Sequence, residues 1–356
     1  MSNTLDSEDK VRVGITIGDV NGIGPEIIIK TFADNRMHQV CTPVIYGSAK
    51  AISFHKKAIN NNEFNFTTIN HISDLNHKRT NLINCWEEEI KIELGQANST
   101  GGKYAFTALQ IACKDLADGN IDVLVTAPID KKTMQQEGFR FPGHTEFLAQ
   151  QFNAPEHLMM LVSDRLRIAT VTGHVPVKEV AGSLSKEKII SKIKVMHQSL
   201  KRDFGIRKPQ IAVLGLNPHS GDSGLIGTEE IEIISPAIQA AFEQNIMVYG
   251  PYPADGFFGA ARFKNFDGIL AMYHDQGLVP FKSLSFDSGV NYTAGLPVVR
   301  TSPDHGTGYD ITGKNMASED SFRTAIYLAC DIFKNRITFD TVNANPLRFA
   351  KLGGDR

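Results

Sequence analysis

Three histidines stand where chemistry could use them together. His174 closes the strand-like RIATVT as T-G-H, His219 follows IAVLGL as N-P-H, and His274 follows GILAMY as H-D-Q-G. Each falls just past the C-terminal end of a predicted strand, and in an open parallel sheet that edge is where ligands bind. Three neutral imidazoles delivered there suit one borderline divalent ion, such as zinc, cobalt, nickel or ferrous iron, and leave coordination positions open for substrate. The competing reading of any single loop histidine is a surface or hydrogen-bonding group. His38, His55, His71, His77, His157 and His197 lack the shared placement and are read that way.

Anion chemistry is the second theme. In F-P-G-H-T-E, residues 141–146, Gly143 lets the backbone approach closely and Thr145 is placed to cap the helix that follows. Free amides at such a helix start favour an anion, to which His144 could add a hydrogen bond; capping alone is the alternative. Lys282, Asn291 and Arg300 follow His274 in a stretch punctuated by Gly277, Gly289 and Gly295. Arg offers a planar fork and Lys a point charge to a carboxylate or phosphate, although each taken singly could be solvated surface. The turn G-D-V-N-G-I-G-P-E spaces Gly18, Gly22 and Gly24 as G-x-x-x-G-x-G, which matches neither the dinucleotide fingerprint nor the P-loop. No G-x-S-x-G elbow suggests acyl transfer.

Positioning these groups requires strands that alternate with helices. Short apolar runs predict strands over 11–17, 44–46, 121–126, 158–162, 168–172, 211–214, 268–272 and 296–299, and amphipathic runs predict helices over 25–32, 102–118, 145–152, 186–204, 228–244 and 318–334. That order is the signal of an α/β protein with a largely parallel sheet. In 186–204, Ile189, Ile193, Met196, Leu200 and Phe204 recur at three- and four-residue steps and form one packing stripe. The stretch 60–91 has weak periodicity and reads as irregular strands and loops.

The 356 residues allow two domains of ordinary size. With 37 Lys plus Arg against 39 Asp plus Glu, no basic field is available to hold a nucleic-acid backbone. Cys41, Cys85, Cys113 and Cys330 never form a C-x-x-C pair and are expected to be reduced, mostly buried thiols. A polar, acidic start and the lack of any long apolar run lead to the expectation of a cytoplasmic chain without a membrane partner.

The motifs ITIGDVNGIGPEI, VTAPIDKKT, FPGHTEFL, TGHVPVKEV, GLNPHSGDSGLIGTEE, AMYHDQGLVPFK and GVNYTAGLPVVRTSPDHGTG run in order through nearly the whole chain. Together they resemble the 4-hydroxythreonine-4-phosphate dehydrogenase family of vitamin B6 biosynthesis. The resemblance implies a two-domain α/β/α fold like that of isocitrate and isopropylmalate dehydrogenases. It places residues 10–140 plus 300–356 in a domain with the nucleotide-side loop, and 141–299 in a domain with the metal site and dimer contacts. It also implies NAD-dependent oxidative decarboxylation of 4-phosphooxy-L-threonine to 3-amino-2-oxopropyl phosphate. His174, His219 and His274 match the family's ligands for one divalent ion (zinc, magnesium or cobalt), and His144, Thr145, Lys282, Asn291 and Arg300 match its substrate contacts. Lys282 or Asp275 could be the general base. The segment 304–315 resembles the adenine-side loop of those two dehydrogenases, so His305, Gly306, Thr307 and Asp310 are expected on the NAD or NADP side. The working unit is expected to be a homodimer with its active site at the subunit interface, the ion taking His174 and His219 from one chain and His274 from the other. The rivals are a related dehydrogenase of another hydroxy acid or dihydrodiol, a NAD-independent metal aldolase or hydrolase, and a metal- or metabolite-binding module.

Overall fold

The computed structural model describes residues 10–285 and 287–345. The described residues begin with β1 (Val11–Thr16), α1 (Gly24–Ala33), α2 (Met37–Val40), β2 (Cys41–Gly47), α3 (Ala49–Ala58), β3 (Phe66–Ile69), β4 (Thr80–Asn84), α4 (Ser99–Ala117) and β5 (Val123–Thr126). They continue through α5 (Lys131–Gln136), α6 (His144–Gln151), β6 (Leu158–Val162), β7 (Arg167–Thr170), α7 (Lys186–Arg202), β8 (Gln210–Leu214), α8 (Ser235–Phe242) and β9 (Met247–Tyr252). The last elements are α9 (Ala254–Gly259), β10 (Gly268–Ala271), α10 (His274–Ser285), β11 (Val290–Ala294), β12 (Val299–Pro303) and α11 (Asp320–Asn343).

Among the described residues, twelve strands join one sheet in the order β3-β4-β2-β1-β5-β12-β11-β6-β7-β10-β8-β9. The run from β3 to β12 is parallel, as is the run from β7 to β9. Antiparallel joints at β12/β11, β11/β6 and β6/β7 reverse the direction between them. The result is the α/β fold with a mostly parallel sheet that the alternation of elements implies. Central strands such as β2 and β5 are buried on both faces, which is why they read as continuous apolar runs rather than alternating ones.

The helices expected over 25–32, 102–118, 145–152 and 186–204 are observed within about three residues of those bounds. Ser185 caps α7 by accepting from the Lys188 amide, and Ile189, Ile193, Met196 and Leu200 form its buried stripe. Phe204 lies beyond the helix, which stops at Arg202. Two expectations are corrected. The apolar run 296–299 is mostly the turn between β11 and β12, because Gly295 has φ +86° and Pro297 cannot donate to a ladder; only Val299 enters β12. The helix expected over 228–244 is a π-helical turn, Glu230–Ile234, leading into the shorter α8. The stretch 60–91 contains β3 and β4 at the sheet's edge. Among the described residues no helix is long and apolar enough to cross a membrane. Cys41, Cys113 and Cys330 are buried free thiols, and Cys85 is half-buried.

Candidate active site

The three histidines follow three neighbouring parallel strands, β7, β10 and β8. His174 and His274 meet: their ring centres lie 5.8 Å apart, and both line a cleft of about 340 Å³. His274 opens α10, and its Nδ1 lies 2.7 Å from Asp275 Oδ1. A carboxylate beside Nδ1 draws the ring proton there and leaves the Nε2 lone pair free for an ion. Burial, then the charges of Lys131 and His274, hold the His174 pKa below its ordinary value, which keeps that imidazole neutral. His219 is exposed and does not border the cleft. It begins a left-handed run, His219 to Ser223, behind an anchor in which Glu230 accepts from the Leu216 and Asn217 amides at 2.7 Å each. Among the described residues, no three His, Cys, Asp or Glu side chains of one chain converge as a metal site.

The cleft is also bordered by Arg300, on β12 and only 2% exposed. Its Nε and Nη2 donate to Thr126 Oγ1 at 3.1 and 2.6 Å, and Nη2 donates to His144 Nδ1 at 3.1 Å. No carboxylate among the described residues pairs with it. Burial pulls its pKa down to about 10, so the guanidinium keeps its charge at neutral pH. With Glu146 near but beyond ion-pair distance, this buried cation is only partly compensated, and an anionic ligand would lower the remaining cost. His144 is the first residue of α6, and its Nε2 is buried and unpartnered. Burial, then the cations Arg300 and Lys131, push its pKa well below 6.5.

Gly143, with extended backbone, is the N-cap of α6, so the capping role expected of Thr145 is corrected: it lies in the first turn, its Oγ1 3.3 Å from Thr293 Oγ1. Asn291 borders the cleft from β11 with its Oδ1 unpartnered. His274, Leu278 and Lys282 recur at four-residue steps on α10 and all border the cleft. Lys282 Nζ lies 3.6 Å from Asp304 Oδ2. Asp275 does not line the cleft; its observed contact is His274.

The segment after β12 is clamped to the first turn of the chain. The Ile23 amide donates to Thr307 O at 2.9 Å, and Tyr309 donates to Asp19 Oδ2 at 2.7 Å. Gly22 is required here, because a Cβ would lie 2.8 Å from Thr307 O. Of the four residues expected on the cofactor side, His305 and Gly306 border the cleft, while Thr307 spends its carbonyl on Ile23 and Asp310 is exposed outside it. Residues not singled out from sequence include Thr126, Lys131, Leu278 and Asp304. Thr126 and Lys131 lie inside VTAPIDKKT, a motif whose residues suggest no chemistry until Arg300 is placed against them. A larger groove of about 1170 Å³, bordered by Ile190, Val195, Leu296 and Pro297, contains none of these groups.

An open α/β sheet whose cleft sets a buried guanidinium, with no ion-paired carboxylate among the described residues, against two neutral-capable imidazoles is built as an enzyme for small anionic substrates. Residues 39–329 match the family described as pyridoxal phosphate biosynthetic protein PdxA, and the chain belongs to that family. A relative from Bacteroides thetaiotaomicron named 4-hydroxythreonine-4-phosphate dehydrogenase is 53% identical over 342 residues, covering 96% of this chain and 94% of the relative. The crystal structure of a protein of that name from Klebsiella pneumoniae superposes with TM-score 0.79 at 33% identity, covering 91% of this chain and all of that one. A terephthalate 1,2-cis-dihydrodiol dehydrogenase from Burkholderia xenovorans shares the fold, with TM-score 0.60 at 24% identity over 90% of this chain and 98% of that one.

Proposed function

We propose that the protein is a 4-hydroxythreonine-4-phosphate dehydrogenase of pyridoxal phosphate biosynthesis, working in the cytoplasm as a homodimer with its active site at the subunit interface. The observation that carries this reading is Arg300, buried without an ion-paired carboxylate beside a free His144 Nε2 at a helix start. Such a corner demands an anion, and family membership supplies one in a phosphorylated hydroxy amino acid. Residues 10–140 with 300–356, and residues 141–299, are proposed as the two domains, of which residues 286 and 346–356 lie outside the described residues.

His174 and His274 fit a divalent ion, zinc, magnesium or cobalt, because one is kept neutral by burial and the other is oriented by Asp275. The third ligand is proposed to be His219 of a second copy, since His219 of the same chain stands outside the cleft. When bound, the ion would acidify the substrate hydroxyl and stabilise the enolate left by carbon dioxide. The cofactor, NAD or NADP, would lie along His305 and Gly306, where a Cβ at Gly306 would meet nothing within 4 Å; Thr307 and Asp310 would support it from the clamped segment.

Arg300, His144 and Thr145 would hold the anionic end so that the reacting carbon faces the nicotinamide. Asn291 would supply a further polar contact. Removal of the C–H as hydride and the O–H as a proton gives a β-keto acid. Loss of its carboxylate as carbon dioxide leaves an electron pair on carbon that needs a proton. Lys282, held by Asp304, would exchange those protons at Nζ, and Asp275 would act through His274. The test is nicotinamide reduction on mixing the protein with 4-phosphooxy-L-threonine and a divalent ion, with 3-amino-2-oxopropyl phosphate and carbon dioxide released. Turnover without nicotinamide would favour an aldolase or hydrolase, and tight binding with no turnover a binding module.

A further inference from the structure

The H-D-Q-G motif has a third polar residue, Gln276, that the proposed chemistry does not use. It stands half-buried in the first turn of α10, and its side-chain amide is bonded at both ends. Its Oε1 accepts from the Met272 amide at 2.7 Å, and its Nε2 donates to the Gly215 carbonyl at 2.6 Å. Met272 follows β10 and precedes His274, whereas Gly215 follows β8 and precedes His219.

These two bonds sit where a backbone ladder stops. β10 and β8 pair in parallel through Gly268 with Ile211, Ile269 with Ala212 and Leu270 with Val213. Carried two residues further, that register would set Met272 opposite Gly215, and the Gln276 amide stands between them instead. Each strand end stays with its outer neighbour. The Thr172 amide and Oγ1 donate to Met272 O at 3.1 and 2.8 Å, which keeps β10 beside β7. The Gly215 amide donates to Tyr252 O at 2.8 Å, which keeps β8 beside β9. The sheet therefore splits at its C-terminal edge, with His174 and His274 together on one side and His219 on the other. A backbone N–H and C=O left facing such a gap must find partners, and a side-chain amide, with one acceptor end and one donor end, serves both while holding them apart.

We propose that Gln276 is a positioning residue for the metal site: its amide wedges the end of β8 away from β10, so that His219 and His274 of one chain serve different sites. This rests on the reading that one ion draws its three histidines from two copies. Whether His174 is grouped with His219 or with His274, that reading separates His219 from the His274 of its own chain. Gln276 does not border the cleft, so it acts through the two strand ends.

Cobalt(II) is the probe, with its affinity measured by competition with a chelator and its coordination by the visible absorption bands of the loaded, intact protein. Gln276→Met keeps the length of the side chain and removes both bonds. Its cobalt affinity should fall about ten- to hundredfold, and its bands should shift toward those of His219→Ala, which lacks the displaced ligand outright. In a His219→Ala background the same change should cost less than about twofold more, because the ligand it positions is already gone. Gln276→Glu keeps the acceptor for Met272 and loses only the donor to Gly215. Its added charge favours a cation, so weaker binding there reports the lost bond, and it carries the test if Gln276→Met folds poorly. Unchanged affinity and bands in a folded variant, or an equal loss in both backgrounds, would overturn the proposal and leave Gln276 a structural brace. A His219→Ala protein that binds cobalt as tightly as the unaltered one would instead refute the shared-ion reading, and this inference with it.

Discussion

Arg300 Nη2 donates to His144 Nδ1 at 3.1 Å, and that contact decides the histidine's tautomer. A guanidinium has no lone pair to share, so Nδ1 must accept and the ring proton must reside on Nε2. Arg300 thus converts its neighbour into a second donor for the anion proposed to bind there.

The pair predicts a division between function and stability. Arg300→Met removes a buried cation that has no carboxylate partner, so the ligand-free protein should melt at the same temperature or higher. The same change should raise substrate KM by roughly ten- to hundredfold, from about 1.5–3 kcal/mol of lost charge-assisted contact. Thermal melts and steady-state kinetics on one preparation read both. A lower melting temperature with an unchanged KM would make Arg300 a structural residue.

The contact of 2.7 Å between His274 Nδ1 and Asp275 Oδ1 predicts a role for a carboxylate that never borders the cleft. Asp275→Ala frees the ring to turn and to change tautomer, and metal affinity should fall about ten- to hundredfold. Competition with a chelator measures it. Unchanged affinity alongside lost turnover would instead support Asp275 as the general base.

The sequence made β6, β7 and the start of α7 legible because their signals are local: apolar runs of strand length, and Ser185 placed before a clean stripe. It concealed α10. Gly277 and Pro280 suggest a broken loop, yet the four-residue recurrence of His274, Leu278 and Lys282 is the signature of one helical face. β11 and β12 were hidden because their positions depend on pairing across the reversal of sheet direction, which no local pattern encodes. The residues proposed for the substrate side were recognisable by type, but the burial of Arg300 without an ion-paired carboxylate and the separation of His219 from the cleft are tertiary facts.

His55 predicts the acid limb of the stability curve. It is buried in α3, its Nε2 lies 2.7 Å from Val20 O, and burial, only partly opposed by that bond, pulls its pKa from 6.5 to about 4. Above pH 6.5 neither folded nor unfolded His55 is charged, and it contributes no pH dependence. Below that, the unfolded chain takes a proton that the folded one refuses, so stability falls until about pH 4, where the folded side chain also titrates. At about 1.4 kcal/mol per unit, the loss over that window is about 3 kcal/mol. His144, lowered in the same direction, adds to it. Urea unfolding at pH 7, 5.5 and 4 should show a flatter decline in His55→Gln, which keeps a donor and cannot titrate. An identical decline in both proteins would remove His55 from the account.

The last prediction concerns which histidines travel together. The family resemblance implies that His174 and His219 share a chain and that His274 comes from the other, whereas the cleft of one chain brings together His174 and His274. Mixing inactive single variants under conditions that exchange subunits separates the two arrangements. A two-fold dimer builds two equivalent sites, so in a heterodimer the lesions either fall on different sites or concentrate in one and leave the other intact. If His219 is the ligand supplied by the second copy, His174→Ala mixed with His219→Ala should recover roughly a quarter of all sites under random pairing. His174→Ala mixed with His274→Ala should then stay dead, because those two lesions always meet different sites. The implied arrangement reverses both outcomes. If all three ligands came from one chain, neither mixture would recover, although heterodimers could be shown by native mass spectrometry. Recovery only in the mixture of His174→Ala with His219→Ala therefore identifies the shared ligand as His219.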